Sequence, residues 1–231
     1  MLIEILDDFD LEKIALSGQC FHVKRMQDDG YRFIFGDEVL YIREIGNHRF
    51  SVSCSLDAWR NTWSFYFDLN RSYNDIFEME CDKHQFIHEA MLYGRGLRIL
   101  RQDPWEMLIT FIISQSKNIP AISKSIEMLA SKFGHCIKTG YETLYSFPSP
   151  LEMSCATDEK LAECGLGYRT PYILDAIQQV LTGSLDLEAL LDCNDEQLLE
   201  TLQKVHGVGK KVARLWKNLL RPYRHLDFKS H

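Results

Sequence analysis

The sequence predicts an α+β protein, with an antiparallel β-sheet in its N-terminal part and an all-α C-terminal part. Two observations indicate this division. Residues from about 14 to 56 contain short stretches rich in aromatic and β-branched residues, separated by turn sequences. After about residue 100, apolar residues recur at helical spacing between capping residues and glycines. We therefore expect two domains, at residues 1–98 and 99–231.

The strand prediction depends on three segments and on the turn signals that precede and separate them. The segments are YRFIFG, EVLYIREI and HRFSVSCS, and the turn signals are QDDG, GD and GN. Polar and apolar residues alternate in RFSVSC, which is typical of a half-buried strand. A further segment, roughly 73–92, is expected to be helical, with these candidate core residues: Ile76, Met79, Phe86, Ile87 and Ala90.

Helix boundaries are well marked in the second part. Asp103-Pro104-Trp105-Glu106 supplies an N-cap, a proline at the first helical position and a glutamate near the cap. The next residues, MLITFII, are apolar on every side, which predicts a central, buried helix. The following helix is expected to end at Gly134, with core residues Ile122, Ile126, Leu129, Ala130 and Phe133. Further helices are predicted from Thr170 to about Gly183 and from Asp195 onward.

Composition excludes several classes of protein. With 231 residues, 45% hydrophobic and 26% charged, the chain has the composition of a soluble globular protein. It contains no apolar run long enough to span a bilayer, and MLIEILDDFD lacks the order of a signal peptide. Its seven cysteines form no C-x-x-C pair, so neither a disulfide framework nor a zinc site is predicted. We expect reduced thiols, no metal and no cofactor, in a cytoplasmic protein (nucleoid-associated in a bacterium).

Charge is distributed unevenly along the chain. From Lys204 to the C-terminus there are eight basic residues and one acidic residue, whereas the whole chain carries −7. A basic face on an acidic body can hold a phosphate backbone, because the local field matters more than the total charge. On charge alone, a solvated tail is the simpler interpretation.

The most informative segment is residues 195–220, DEQLLETLQKVHGVGKKVARLWKNLL, which predicts two helices joined by a hairpin. His206-Gly207-Val208-Gly209 has glycines where the chain reverses and where a side chain would block close approach. Backbone N–H groups of such a turn, followed by a helix N-terminus, suit a DNA phosphate. Val208 is expected to pack between the helices. The alternative is an ordinary αα-hairpin whose glycines only turn the chain.

Four motifs in this chain resemble the 8-oxoguanine branch of the helix-hairpin-helix DNA glycosylases. The hairpin motif runs from Leu202 to Ala213, and Asp103 to Ile122 resembles the family's Asp-Pro-Trp-Glu helix with its following loop. Gly-Leu-Gly-Tyr-Arg at 165–169 and Leu-Ser-Gly-Gln-Cys-Phe at 16–21 also match. The resemblance covers nearly the whole chain. It implies that the sheet domain is similar to one half of the TATA-binding protein fold and is followed by a helix-hairpin-helix glycosylase domain.

The resemblance assigns roles to residues by position. Lys211 would be the nucleophile that attacks the sugar C1′ and forms a Schiff base, and the Gly18 carbonyl would read the damaged base, with Phe21 beside it. The DNA-contacting residues would lie in the hairpin, in the 165–169 turn and in the loop after the Asp-Pro-Trp-Glu helix: His206, Gly207, Val208, Gly209, Lys210, Arg214, Tyr168, Arg169, Ser116, Lys117 and Asn118. For Tyr168, the alternative of a simple linking turn is equally supported. For Lys211, the alternative is a phosphate-binding lysine.

Three features depart from the family pattern. Ser116 and Lys117 occupy the positions of an asparagine pair, and Ala121 replaces an arginine, so selectivity for the opposite base is open. The family's catalytic aspartate is not matched in spacing or context by HLDFKSH, in which Asp227 is the nearest candidate. We expect the glycosylase domain to be incomplete at its C-terminus and the activity to be impaired.

Three hypotheses follow. The first is a base-excision repair glycosylase and abasic-site lyase acting on double-stranded DNA that contains an oxidised purine. The second is a catalytically silent helix-hairpin-helix DNA-binding protein. The third, an endonuclease III-like enzyme, ranks low because that branch typically ends in a four-cysteine iron–sulfur loop and no cysteine follows Cys193. We expect a monomer that binds no membrane.

Overall fold

The structure, a computed structural model, describes residues 1–80 and 85–220. The chain divides into two compact units. Among the described residues, the sheet unit contains 1–34, 38–80 and 85–101, and the helical unit contains 35–37 and 102–220. The inclusion of residues 35–37 in the helical unit has no counterpart in the sequence patterns.

The sheet unit is built on five antiparallel strands in the order β1-β5-β4-β3-β2. Their bounds are β1 Leu2–Glu4, β2 Val23–Arg25, β3 Tyr31–Phe35, β4 Glu38–Gly46 and β5 Arg49–Val52. Three of them, β3 to β5, coincide with the predicted segments. Alternation in β5 buries Phe50 and Val52, as the RFSVSC pattern predicts. The predicted class, an antiparallel sheet part followed by a helical part, is confirmed.

Short helices and an aromatic core complete this unit. The helices are α1 Leu11–Leu16, α2 Leu56–Ala58, α3 Ser64–Tyr66, α4 Tyr73–Glu80 and α5 Gln85–Gly94, with a π-helical stretch at Trp59–Trp63 between α2 and α3. The Phe67 ring lies edge-on to Phe33 and to Tyr66, with centroids 5.2 Å apart in both pairs. Burial of each such ring stabilises the fold by about 1.5–3 kcal/mol.

Two expectations for the sheet unit are wrong. Residues 14–16 belong to helix α1 and not to a strand, because Asp10 caps that helix by accepting from the Lys13 amide at 2.9 Å. The core residues expected within 73–92 are not buried. Met79 and Phe86 are 52% and 81% exposed, Ala90 is exposed, and Ile76 and Ile87 are half-buried. Strand β1 has only three residues, too few to show a period.

The helical unit contains seven α-helices within the described residues, and two short 3-10 helices at Glu152–Cys155 and Gly167–Arg169. The α-helices are α6 Pro104–Ser114, α7 Ile119–Phe133, α8 Asp158–Ala162, α9 Thr170–Leu181, α10 Ala189–Asp192, α11 Asp195–Leu202 and α12 Lys210–Leu220. The unit is not wholly α-helical. A two-stranded antiparallel hairpin, β6 Cys136–Lys138 and β7 Thr143–Tyr145, follows α7 and forms its hydrogen bonds locally.

Helix α6 is the buried centre of this unit. Every residue from Trp105 to Ile113 is buried, and Asp103 caps the helix by accepting from the Glu106 amide at 2.8 Å. All five predicted core residues of α7 are buried. Trp216 of α12 is fully buried and donates from Nε1 to the Pro104 carbonyl at 3.0 Å, which links α12 to the start of α6. The predicted central position of α6 is therefore confirmed.

Residues 1–80 and 85–220 lack two kinds of feature. No helix there combines the length and apolar character that a membrane span requires. The same residues contain no group of three or more histidine, cysteine, aspartate or glutamate side chains arranged to hold a metal ion.

Candidate nucleic-acid interface

Residues 203–209 connect α11 to α12 and contain the predicted hairpin. The Val208 amide donates to the Val205 carbonyl at 3.0 Å, and the Ala213 amide donates to the Gly209 carbonyl at 3.1 Å, so the turn leads directly into α12. Val205 and Val208 are buried. Their side chains hold the base of the turn in the core, while His206 and Gly209 remain exposed.

The two hairpin glycines differ in what their positions allow. Gly207 has φ +81°, and a Cβ atom there would lie 2.3 Å from Cδ2 of Tyr172. Both the backbone conformation and the packing therefore exclude a side chain at this position. Gly209 has no such restriction, because a Cβ atom there would meet nothing within 4 Å. The open space at Gly209 is the kind of surface that a ligand backbone could approach.

Three residues that sequence reasoning missed contact the hairpin and hold it against the rest of the helical unit. Asp175 of α9 accepts from the His206 amide at 2.7 Å. The Tyr172 ring contacts the His206 ring edge-on, with centroids 4.5 Å apart. Gln115, just after α6, donates from Nε2 to the Gly207 carbonyl at 3.0 Å. Each contact joins residues at least 31 positions apart, so local sequence patterns could not reveal it.

The N-terminal half of α12 presents a basic surface. Lys210, Lys211 and Arg214 are exposed, and no carboxylate among the described residues forms an ion pair with them. Lys217 on the same helix is different, because its ammonium lies 2.6 Å from the Asp195 carboxylate. Unpaired cations at the start of an 11-residue helix add to the positive end of its dipole. This surface can hold a phosphate.

The loop after α6 contains Ser116, Lys117 and Asn118. Ser116 is exposed and has φ +52°. Asn118 caps α7 by accepting from the Ala121 amide at 2.9 Å. Lys117 donates from Nζ to Ser125 Oγ at 2.6 Å and to the Gly165 carbonyl at 2.8 Å. Burial, and then the nearby Arg169 charge, lower the pKa of Lys117.

The 165–169 turn lies against this loop. Two glycines with positive φ, Gly165 and Gly167, shape the turn. Tyr168 is 55% exposed, and its hydroxyl lies 3.5 Å from the Gln115 carbonyl. The Arg169 guanidinium lies 4.3 Å from the centroid of the Tyr168 ring and donates to the carbonyls of Gln115 and Leu166.

The structure separates the residues expected to contact DNA into two groups. The exposed group has side chains or backbone open to solvent: Ser116, Tyr168, His206, Gly209, Lys210 and Arg214. The expected nucleophile Lys211 is also exposed, and Gly207 is half-buried. The other group is held by the protein. Arg169 is 5% exposed, the Asn118 side chain caps a helix, Lys117 is bonded inward and Val208 is buried. In this structure each of these four side chains has a partner or a packed position within the protein, and contact of these residues with DNA stays a prediction. Asp227 lies outside the described residues.

In the sheet unit, hydrogen bonds and burial hold the neighbours of Gly18, in the segment expected to read the base. Gly18 has φ +74°, and its carbonyl accepts no hydrogen bond from any described residue. The neighbouring Gln19 is buried and donates from Nε2 to Ser17 Oγ at 3.0 Å and to the Arg98 carbonyl at 2.9 Å. Its Oε1 accepts from the Leu100 amide at 3.1 Å. Phe21 is buried.

Two acidic residues begin the central helix α6 of the helical unit. Burial raises the pKa of Glu106 to about 8, with a further contribution from the Asp103 charge. Burial also raises the pKa of Asp103, although hydrogen bonds from the Glu106 and Trp105 amides oppose this. Glu106 is therefore largely protonated at neutral pH.

Comparison with known families and proteins agrees with these motifs. Residues 1–108 match the family described as 8-oxoguanine DNA glycosylase, N-terminal domain. An N-glycosylase/DNA lyase of Saccharomyces cerevisiae is 36% identical over 172 residues, 68% of this chain and 45% of that protein. N-glycosylase/DNA lyase OGG1 of Arabidopsis thaliana is 34% identical over 206 residues, 85% of this chain and 56% of that protein. The chain thus spans about half the length of these two relatives.

Solved structures extend the similarity over nearly the whole chain. MBOgg1, in a complex with a low-affinity DNA ligand, superposes with a TM-score of 0.89 at 34% identity, covering 95% of this chain and 76% of that one. The Clostridium acetobutylicum 8-oxoguanine glycosylase/lyase, in complex with double-stranded DNA containing cytosine opposite 8-oxoguanine, gives 0.88 at 31% identity, covering 96% and 80%. By fold, motifs and sequence identity, the chain belongs to the 8-oxoguanine DNA glycosylase family.

Proposed function

We propose that the chain is a DNA glycosylase and abasic-site lyase that removes 8-oxoguanine from duplex DNA, with Lys211 as the nucleophile. The observation that carries this proposal is the position of Lys211. It lies at the start of α12, directly after the Gly207–Gly209 hairpin, and it is exposed without a described ion-pair partner. Membership of the family supports the same role.

The hairpin and its basic surroundings would bind the phosphate backbone. Backbone N–H groups near Gly209 and the positive end of α12 favour an anion, and Lys210 and Arg214 add unpaired charge. Binding of this kind releases counterions, so affinity falls as salt rises. We expect the chain to act as a monomer, in the compartment that contains its DNA substrate.

The chemical step needs a free amine at Lys211. Its Nζ would attack the sugar C1′, the bond between C1′ and the base N9 would break, and the base would leave with a proton. Opening of the sugar ring would give a protonated Schiff base between Nζ and C1′. Abstraction of a C2′ proton would then expel the 3′ phosphate by β-elimination. Asp227, outside the described residues, is the proposed acidic partner of Lys211.

Base recognition would fall to the sheet unit and to the exposed tyrosine. The target nucleotide has to leave the helix stack before a pocket can read it. The unpaired carbonyl of Gly18 would accept from N7–H, which 8-oxoguanine has and guanine lacks, and Phe21 would support the base. Tyr168, with its ring more than half exposed, would fill the gap or support the bases opposite it.

Borohydride trapping tests the proposal. Reduction of the Schiff base converts its C=N bond to a stable amine and leaves protein and DNA covalently joined. We expect a trapped band with a duplex containing 8-oxoguanine opposite cytosine, and also with a preformed abasic site. Lys211→Gln should abolish both bands. Lys124→Gln is the matched control, because Lys124 is an exposed lysine of α7 that belongs to none of the proposed site residues.

The second candidate is a catalytically silent DNA-binding protein. It is favoured by one observation, that HLDFKSH does not match the family's catalytic aspartate in spacing or context. It predicts salt-sensitive binding to the same duplex, with no trapped band on either substrate. That result would contradict the proposed enzymatic function and would leave DNA binding intact.

A further inference from the structure

We propose that Lys117 is a positioning residue that holds the 165–169 turn and thereby the exposed Tyr168 ring, and that its ammonium does not contact DNA. The proposal concerns the interface described above and rests on the proposed function only in that Tyr168 is taken to meet the DNA. It reverses the simplest expectation for a lysine in such a loop, which is a phosphate contact.

The contacts of Lys117 point inward. Its ammonium donates to Ser125 Oγ at 2.6 Å and to the Gly165 carbonyl at 2.8 Å, and Ser125 is buried on α7. Both acceptors are neutral oxygens of the protein, in two different parts of the chain. Two of the three N–H donors of the ammonium are therefore used within the protein. The side chain is long enough to bridge the loop and the turn, which a shorter polar residue could not do.

The same loop also holds the far end of the turn. The Gln115 carbonyl accepts from the Arg169 guanidinium and lies 3.5 Å from the Tyr168 hydroxyl. Residues 115–117 therefore bind the turn at its first residue, Gly165, and at its last, Arg169. Gly165 and Gly167 both have positive φ. Because glycine restricts the backbone least, such a turn needs external contacts to keep one conformation.

This arrangement orients the Tyr168 ring and leaves it exposed to solvent. The Arg169 guanidinium covers one side of its ring, with 4.3 Å to the centroid, and the Tyr172 ring lies edge-on to it, with centroids 6.0 Å apart. More than half of the side chain stays exposed. An aromatic ring that is already oriented loses less conformational entropy when it stacks on a base. Loss of the Lys117 contacts should therefore weaken binding through Tyr168.

The salt dependence of binding distinguishes positioning from phosphate contact. Affinity for a duplex with an abasic site would be measured by fluorescence anisotropy between about 50 and 200 mM salt. Lys117→Met should raise Kd about tenfold at every salt concentration and leave the slope of log K against log salt unchanged. Arg214→Met is the comparison, because removal of an exposed phosphate-facing cation should lower that slope by about 1. A slope lowered by about 1 in Lys117→Met would overturn the proposal.

Two further variants test whether the loss of affinity follows from the loss of the Lys117 contacts and whether it acts through Tyr168. Ser125→Ala removes only one of the two acceptors, so it should raise Kd by about threefold with an unchanged slope. In a double-mutant cycle, Lys117→Met should cost little affinity once Tyr168→Ala is present, since it acts through that ring. Full additivity of the two changes would contradict the proposal. All of these readouts measure binding, so a chain that fails borohydride trapping still tests the role of Lys117.

Discussion

The ring of Tyr172 lies directly against Gly207, so close that a Cβ atom at this glycine would be 2.3 Å from Cδ2. Tyr172 belongs to α9, and Gly207 is the second residue of the hairpin before α12. The contact determines how closely the hairpin packs against α9. Because α12 begins at Lys210, shortly after the hairpin, this packing is one of the contacts that set the position of Lys211.

Gly207→Ala is therefore expected to destabilise the fold. The added methyl group collides with the Tyr172 ring, and φ +81° is unfavourable for alanine, so we expect the free energy of unfolding to fall by roughly 2–4 kcal/mol. Urea denaturation followed by tryptophan fluorescence measures the change. Gly209→Ala is the matched control, because a Cβ atom there meets open space. It should change stability by less than about 1 kcal/mol while weakening DNA binding. Equal destabilisation by the two variants would contradict this explanation.

Asp7 should make the sheet unit sensitive to acid. Burial acts to raise the pKa of its carboxyl group, but hydrogen bonds from the Tyr73, Asn74 and Asp8 amides and from Arg98 together hold that pKa below its ordinary value of 3.8. A lowered pKa in the folded state means that the unfolded state binds the proton first as pH falls. The stabilisation is therefore present above about pH 4 and is lost as pH falls through the folded-state pKa.

Asp7→Asn tests this contribution. Arg98 is fully buried, and its guanidinium lies 2.5 Å from the Asp7 carboxylate, so the substitution leaves a buried cation without its counter-charge. We expect a loss of about 3 kcal/mol in the free energy of unfolding at neutral pH. The loss should shrink as pH falls below about 4, where the unfolded wild-type chain begins to bind a proton at this carboxyl group. A loss of the same size at neutral and at acidic pH would show that shape, and not charge, determines the effect.

Glu106 should have the opposite pH dependence. Burial raises the pKa of its carboxyl group from an ordinary value of 4.5 to about 8 in the folded state. Between these values the folded state keeps a proton that the unfolded state has released, so stability falls as pH rises. We expect Glu106→Gln, which keeps the shape of the protonated side chain, to reduce this fall by roughly 3–4 kcal/mol between about pH 5 and 8. Thermal melts of both proteins across this range provide the measurement, and parallel curves would rule out the assignment.

Local patterns were sufficient for the elements whose signals are continuous in the chain. The cap at Asp103, the apolar run after it and the glycines of the hairpin each lie within a few residues of what they determine. The same is true of strand β5, where alternation alone distinguishes the buried face. In each of these cases, the physical cause and its effect are neighbours in sequence.

The expectations that failed depended on distant neighbours. Phe86 has the spacing of a core residue in a helix but is 81% exposed, since spacing alone does not determine which neighbour, if any, covers a face. Arg169 matches a motif whose arginine was expected at the DNA surface. Its guanidinium donates to the Gln115 carbonyl, 54 residues away, and no local pattern predicts that contact. No local pattern marks Gln115 as important. Its contacts arise only in the folded chain, where its loop meets both the hairpin and the 165–169 turn.

The hydrogen bond between Trp216 and the Pro104 carbonyl has a consequence for folding order. It joins residues 112 positions apart, and the indole is fully buried. Closure of so long a loop costs entropy that is recovered only when the intervening helices have packed, so docking of α12 is expected to be a late event. A chain emerging from the ribosome would thus complete most of its helical unit before the amine of Lys211 reaches its final position.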